Sequence, residues 1–152
     1  MNASPDLDPL SKTRLKMWIR LLGVTRAAEG QLRGFLRVSH NTTLPRFDVL
    51  AALYRRRDGV TMSELSRMLL VSNGNATTVV DRLEKDGLVK RSASETDRRT
   101  VFVALTAEGL RQFEILAADH ERKVNAVFGG LSGTELDMLT GILKRMGKGD
   151  GA

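Results

Sequence analysis

The sequence predicts a mainly α-helical fold carrying one small β-hairpin, and three observations predict it. Apolar residues recur at helical spacing through most of the 152 residues. Two complete capping boxes, Thr61-Met-Ser-Glu64 and Ser132-Gly-Thr-Glu135, mark helix starts. One stretch breaks the helical period: Val101, Val103 and Leu105 alternate as a strand does, and a second short strand near residues 88–92 faces them across a charged loop.

Taken in order, the first element is expected to start near Asp8-Pro9, with Asp8 as the cap and proline in the first helical position. Leu15, Trp18, Ile19, Leu22, Leu32, Phe35 and Leu36 then predict a long helix ending before His40-Asn41, although Gly23, Gly30 and Gly34 lower its propensity. Pro45 opens a second helix with Phe47, Leu50 and Tyr54 on one face, ended by Asp58-Gly59. The Thr61 box starts a short third helix around Leu65, Met68 and Leu69, broken at Val71-Ser72. Residues 73–86 read as a fourth, with Ala76, Val79, Val80 and Leu83 within about 100° of arc and Gly87-Leu88 as its C-cap. After the two strands, Thr106 caps a helix through Leu110, Phe113, Leu116, Val124 and Val127, and Ser132 one through Leu136, Leu139, Ile142, Leu143 and Met146. The first seven residues and the last six, GKGDGA, are polar or glycine-rich and are expected to fray. No internal repeat or low-complexity tract lies between them.

A chain of this length with 41% apolar residues forms one ordinary domain with a real core. Its net charge of +6 is unevenly placed: residues 1–43 hold seven basic against three acidic residues, 44–106 eleven against eight, and 107–152 six against seven. The excess in the first two thirds suits an anionic partner such as nucleic acid. With no cysteine, disulfides, thiolate zinc sites and thiol redox switching are excluded. Apolar runs such as 68–71 and 101–105 are too short to span a bilayer, and no signal-peptide segment is present, so the cytoplasm is the expected location. Nucleophile-elbow, phosphate-loop and dinucleotide motifs are missing too, which argues against an enzyme and against a cofactor.

The third and fourth helices, joined by a tight turn, have the form of a helix-turn-helix. On the fourth helix the arc opposite Ala76 holds Gly74, Thr78, Arg82 and Lys85, flanked by Asn73, Asn75, Thr77 and Asp81. Asparagine can read adenine edges, threonine can meet phosphate or a thymine methyl, and arginine can address guanine. The same Ser-Asn-Gly-Asn run also makes a good helix N-terminus, so taken alone it serves either reading. The hairpin that follows is tipped by Asp97-Arg98-Arg99. Arginines there suit the narrow, strongly negative minor groove, and Asp97 is placed to pair with and orient a wing or helix guanidinium. The fold expected is therefore mainly α with a small β-hairpin wing: a winged helix-turn-helix over residues 44–106, flanked by N- and C-terminal dimerisation helices at 8–40 and 107–147.

The stretch from Pro45 to Thr106 resembles the multiple antibiotic resistance regulator (MarR) family of bacterial winged-helix repressors. The segments MSELSRMLLVSNGNATTVVDRLEKDGLVKR and ETDRRTVFVALTAEG carry the likeness, and the flanking helices match in order and length. The wing's D-x-R element, here Asp97-Arg98-Arg99, is its most specific part. The resemblance implies a homodimer held by the terminal helices, placing two winged helices on a palindromic operator of double-stranded DNA. It carries recognition-helix contacts onto Ser72, Asn73, Asn75, Thr77, Thr78 and Arg82, and the minor-groove arginine onto Arg99, with Arg98 beside it. An amphipathic helix at each end of so small a chain independently asks for a covering surface, and a second subunit supplies one.

The resemblance also implies an effector, a small aromatic or phenolic acid or a related thioester, in a cleft between the dimerisation helices and the winged helix. The first helix offers Lys16, Trp18, Arg20 and Arg26 for it, and the next region offers His40, Arg46, Phe47 and Tyr54. A cation beside an aromatic suits a carboxylate-bearing ring. Arg20 and His40 are the first choices, although at such positions Trp18, Phe47 and Tyr54 are more often core, His40 a loop hydrogen-bonder, and Lys16 or Arg20 a solvated face. The two histidines, His40 and His120, lie 80 residues apart, and Asp119, His120 and Glu121 point to different faces of a helix. A metal site is therefore not expected. A winged helix that binds a protein partner, or a regulator that needs no ligand, remains the alternative.

Overall fold

The computed structural model describes residues 8–147, and the termini expected to fray at 1–7 and 148–152 lie outside them. Helix α1 spans Ser11–His40, thirty residues. It starts later than Asp8-Pro9 suggests, because Asp8 is spent in a preceding turn: its carboxylate accepts the Leu10 N–H at 2.8 Å and pairs with Arg14 at 2.9 Å. Gly23, Gly30 and Gly34 lie inside α1 without breaking it, and His40 is its last residue. Asn41 then turns left-handed, at φ 49°, and its N–H bonds the Leu36 carbonyl.

Helix α2, Leu44–Arg55, is capped by Thr43, whose hydroxyl accepts the Arg46 N–H. It stops at Arg55, short of Asp58-Gly59. Gly59, at φ +99°, instead turns the chain into a strand absent from the sequence reading, β1 at Val60–Thr61. Two residues give too short a run for alternation to register. Thr61 then caps α3, Met62–Leu69, and both bonds of the predicted capping box with Glu64 are present. Leu70 ends α3 in the left-handed region at φ 57°, two residues before Ser72 opens α4 at Asn73–Lys85.

The wing strands are β2, Val89–Ala93, and β3, Val101–Leu105. They pair antiparallel, with Arg91 opposite Val103 and Ala93 opposite Val101. β1 joins the other side of β3 through Val60 opposite Val103, giving the order β1-β3-β2. Thr106 caps α5, Ala107–Phe128, by accepting the Gly109 N–H, while its own hydroxyl donates to the Gly87 carbonyl at 2.7 Å. The Ser132–Glu135 box opens α6, Gly133–Gly147, which takes in the first residue of the tail expected to fray.

The core gathers Leu36 of α1, Val49 and Leu53 of α2, Val60, Leu65 of α3, Val80 and Leu83 of α4, and Val89 and Val103 of the sheet, all essentially inaccessible to solvent. Each such side chain contributes about 1.5–3 kcal/mol by leaving water. Phe113 and Leu116 bring α5 onto this core. Helix α6 buries none of its residues within the chain. The first turn of α5 lies so close to the end of α4 that a Cβ at Gly109 would sit 1.9 Å from the Leu88 carbonyl oxygen.

Candidate nucleic-acid interface

Helix α4 buries Ala76, Val80 and Leu83 against the core and turns a polar face outward. Asn73, Asn75, Thr78, Arg82 and Lys85 are exposed on it, and Thr77 is half-buried. Ser72 is the N-cap, its hydroxyl accepting the Asn75 N–H at 3.2 Å, so at this position the capping reading holds. The hydroxyls of Thr77 and Thr78 donate to the Asn73 and Gly74 carbonyls one turn back. That leaves their methyl groups and lone pairs for any outside contact. Arg82 lies on the flank of α4 that faces the junction of α1 and α2, alongside Arg33, Arg37 and Arg46.

At the wing tip Asp97 differs from expectation. Its carboxylate accepts the Arg99 N–H at 3.0 Å and the Thr100 hydroxyl at 3.2 Å, and its carbonyl accepts the Thr100 N–H. Asp97 therefore orients the wing through the backbone of its turn, with no guanidinium bond among the described residues, because an aspartate two residues ahead of an amide closes a turn readily. Arg98 and Arg99 are exposed and form no ion pair among the described residues.

The guanidinium that sequence reasoning missed is Arg91 on β2. It bonds Asp81 at 2.5 Å and Glu84 at 2.8 Å on α4, and its backbone N–H donates to Glu84 as well. The amide and guanidinium of Arg91 together hold the Glu84 carboxyl below its ordinary value. The hairpin is thus pinned to the exposed helix from the side. A signal existed: Asp81 and Glu84 are three residues apart on one helix face, and a basic residue follows on the next element.

The effector candidates separate into groups. His40 and Arg46 line one cleft of about 250 Å³ between α1, α2 and α5, with Leu50, Leu88, Gln112 and Ile115. His40 Nε2 lies 3.0 Å from Asp119 of α5, without the alignment of a hydrogen bond. Arg46 reaches Asp86, the C-cap residue of α4, at 2.8 Å. The remaining candidates stand elsewhere. Phe47 is in the core, stacked on His120 with ring centres 4.2 Å apart, and burial lowers the pKa of that histidine. Tyr54 packs on Phe113 under the Arg57 guanidinium. Trp18 and Arg26 are exposed on α1, and Lys16 and Arg20 border an apolar groove against α6. Among the described residues no group of three histidine or carboxylate side chains can hold a metal ion, and no helix is long and apolar enough to cross a membrane.

Comparison with known proteins agrees with this architecture. The family model described as the MarR family matches residues 42–101. The chain is 30% identical to the HTH-type transcriptional regulator MhqR of Bacillus subtilis over 91% of this chain and 94% of that protein. Its fold is similar to that of AbsC, a MarR family transcriptional regulator from Streptomyces coelicolor, with a TM-score of 0.80, 27% identity and 97% of each chain covered. It is also similar to a mutant MarR from E. coli complexed with operator DNA, with a TM-score of 0.72, 26% identity, and 92% of this chain and 99% of that one covered. The outward polar helix, the arginine-tipped hairpin and a relative matched over nearly its whole length lead to one conclusion: the chain belongs to the MarR family of DNA-binding transcriptional regulators and is not an enzyme.

Proposed function

We propose that the protein is a homodimeric, cytoplasmic repressor that sets two copies of α4 on a palindromic operator and leaves it when a small aromatic or phenolic acid, or a thioester of one, enters the cleft at His40 and Arg46. The observation that carries the DNA half of this reading is the pair Arg98 and Arg99, exposed and without acidic partners among the described residues, at the tip of a hairpin that Arg91 fastens to the polar face of α4. Residues 44–106 form the DNA-binding part. Within it Asn73, Asn75, Thr77, Thr78 and Arg82 meet the major groove, Ser72 holds the start of the helix, and Arg98 and Arg99 enter the minor groove. The E. coli relative in complex with operator DNA supports an operator as the target.

Residues 8–40 and 107–147 form the dimerisation part. What supports this is apolar surface that the single chain leaves in water: Leu15, Trp18 and Ile19 on α1, and Leu139, Ile142 and Met146 on α6. Met17, Leu21 and Val24 of α1 also face Leu139, Ile142 and Met146 of α6 across one open apolar groove, the kind of surface that a partner covers. The effector half rests on the cleft itself. A ring carboxylate there meets the Arg46 guanidinium and competes with Asp86 for it, which loosens a contact at the very end of α4. Leu88, the residue that follows α4's closing turn, lines the same cleft, so its occupant touches the joint between the recognition helix and the wing.

Fluorescence anisotropy on the protein's own upstream DNA and on random duplex, from about 50 to 200 mM salt, tests the reading. Tight, salt-steep binding to the upstream DNA alone, reversed by an aromatic acid or thioester, is the expected result. Weak binding, equal on both duplexes, would instead favour a winged helix that serves a protein partner.

A further inference from the structure

Four arginines converge on a second concavity, of about 480 Å³, at the corner where α1 meets α2 and α4. Arg33 and Arg37 come from successive turns of α1, Arg46 from the first turn of α2, and Arg82 from the flank of α4. Of these four, Arg46 alone has an acidic partner among the described residues, Asp86, and Arg33, Arg37 and Arg82 form no ion pair among them. Arg37 lies in the last turn of α1, where a cation complements the helix dipole, although like charges one helical turn apart repel. The four arginines together concentrate more positive charge here than the single carboxylate of Asp86 offsets. The wall between the guanidinium groups is apolar, formed by Leu44, Pro45 and Val79.

We propose that this concavity binds a phosphorylated small molecule, its phosphate or diphosphate held by Arg33, Arg37 and Arg82 and its organic part laid against Leu44, Pro45 and Val79. A monocarboxylate satisfies one guanidinium fork, whereas three unpaired forks arriving from two helices ask for an anion with several charges and several acceptor oxygens. The volume falls in the range of small-molecule sites, and the apolar wall of Leu44, Pro45 and Val79 suits an organic group set directly beside a multiply charged anion. The site shares Thr42 and Arg46 with the effector cleft but is not lined by His40, Gln112 or Ile115. Its occupant engages Arg82, one of the residues assigned to the operator. On the reading of α4 as the recognition helix, occupancy therefore weakens DNA binding.

The test is calorimetric titration of the full-length protein with inorganic pyrophosphate at constant ionic strength, without metal ions or DNA. It compares the wild type with the Arg33→Ala/Arg37→Ala double variant, whose exposed helical positions accept alanine, and circular dichroism checks the helix content. Saturable binding by the wild type, weakened roughly tenfold or more in the double variant, is expected. No saturable binding, or equal binding by both proteins, overturns the site. A second arm measures anisotropy on operator DNA with and without pyrophosphate. If the double variant loses operator affinity and about two units of salt slope, while pyrophosphate binds neither protein, the arginines are a seat for the DNA backbone and the proposal fails. Pyrophosphate binding that depends on Arg33 and Arg37, in a protein that binds no duplex, would uphold this site and overturn the repressor reading instead.

Discussion

Replacing Arg91 with alanine cuts the side-chain tie between α4 and the wing. The guanidinium makes bonds of 2.5 Å to Asp81 and 2.8 Å to Glu84, and it is itself a quarter exposed, with Asp81 more than half exposed. Ion pairs that open to water are worth about 0.2–1 kcal/mol each, and the backbone N–H of residue 91 keeps its bond to Glu84 in the variant, so the expected loss of stability from the two pairs is about 0.4–2 kcal/mol. In a domain of this size that lowers Tm by roughly 1–8 °C, measured by thermal circular dichroism at matched protein concentration. The larger effect should fall on DNA. An arginine contact in the wing is worth about 1–3 kcal/mol, and a hairpin no longer registered against α4 forfeits part of it, so operator affinity should drop about 3- to 30-fold in anisotropy at fixed salt. The stability gap should also depend on pH. The backbone N–H of residue 91, kept in the variant, is the chief cause of the depressed Glu84 pKa and the guanidinium adds to it, so the guanidinium's share of the stabilisation is fully present at neutral pH, above the ordinary value near 4.3, and is lost as pH falls through the lower folded value. Wild type and variant should therefore converge only in acid. Operator affinity within twofold of wild type, or a gap that persists unchanged through pH 3, would refute the idea that this clamp sets the wing.

Arg99→Ala should weaken operator binding by roughly 1–3 kcal/mol with Tm unchanged, and full retention of affinity would remove the arginine from the minor groove. Asn73→Ala and Asn75→Ala should relax preference at particular base pairs in a binding-site selection, whereas a uniform loss over all sequences would assign them to phosphate. Gly109→Ala should lower stability by about 1–3 kcal/mol, because its Cβ meets the Leu88 carbonyl at 1.9 Å and one of the two backbones must move. Gly23→Ala, with open space around it, should instead raise stability by about 0.5–1 kcal/mol, and melting curves of the pair separate packing from propensity. Arg46→Gln should blunt release of DNA by aromatic acids roughly tenfold while leaving helix content intact, and undiminished release in a DNA competition assay would take Arg46 out of the effector site.

Local chemistry explains why some of this was legible in the sequence and some was not. Thr61, Ser72, Thr106 and Ser132 mark the helix starts because a cap needs only a hydroxyl and an amide three residues on, and all four caps are formed. The polar face of α4 was legible for the same reason, since the positions of Ala76, Val80 and Leu83 fix where the opposite arc must lie. What escaped was decided by residues far apart in the chain. β1 exists because Val60 meets Val103, and nothing within Val60-Thr61 announces that pairing. Aromatic side chains were the poorest guide to the cleft. Phe47 and Tyr54 look alike as core or as ligand wall until α5 arrives, and it is Phe113 and His120 on α5 that claim them. Arginines carry the converse lesson. Arg82 was assigned to the DNA-reading face from its place on the helix, and that assignment took no account of Arg33 and Arg37, which precede it by more than 40 residues. A helical wheel ranks side chains by direction from one axis only. Arg82 lies at the edge of the outward arc, where the neighbouring helix decides what it faces, and here that neighbour brings two more cations in place of the carboxylate that would have neutralised it.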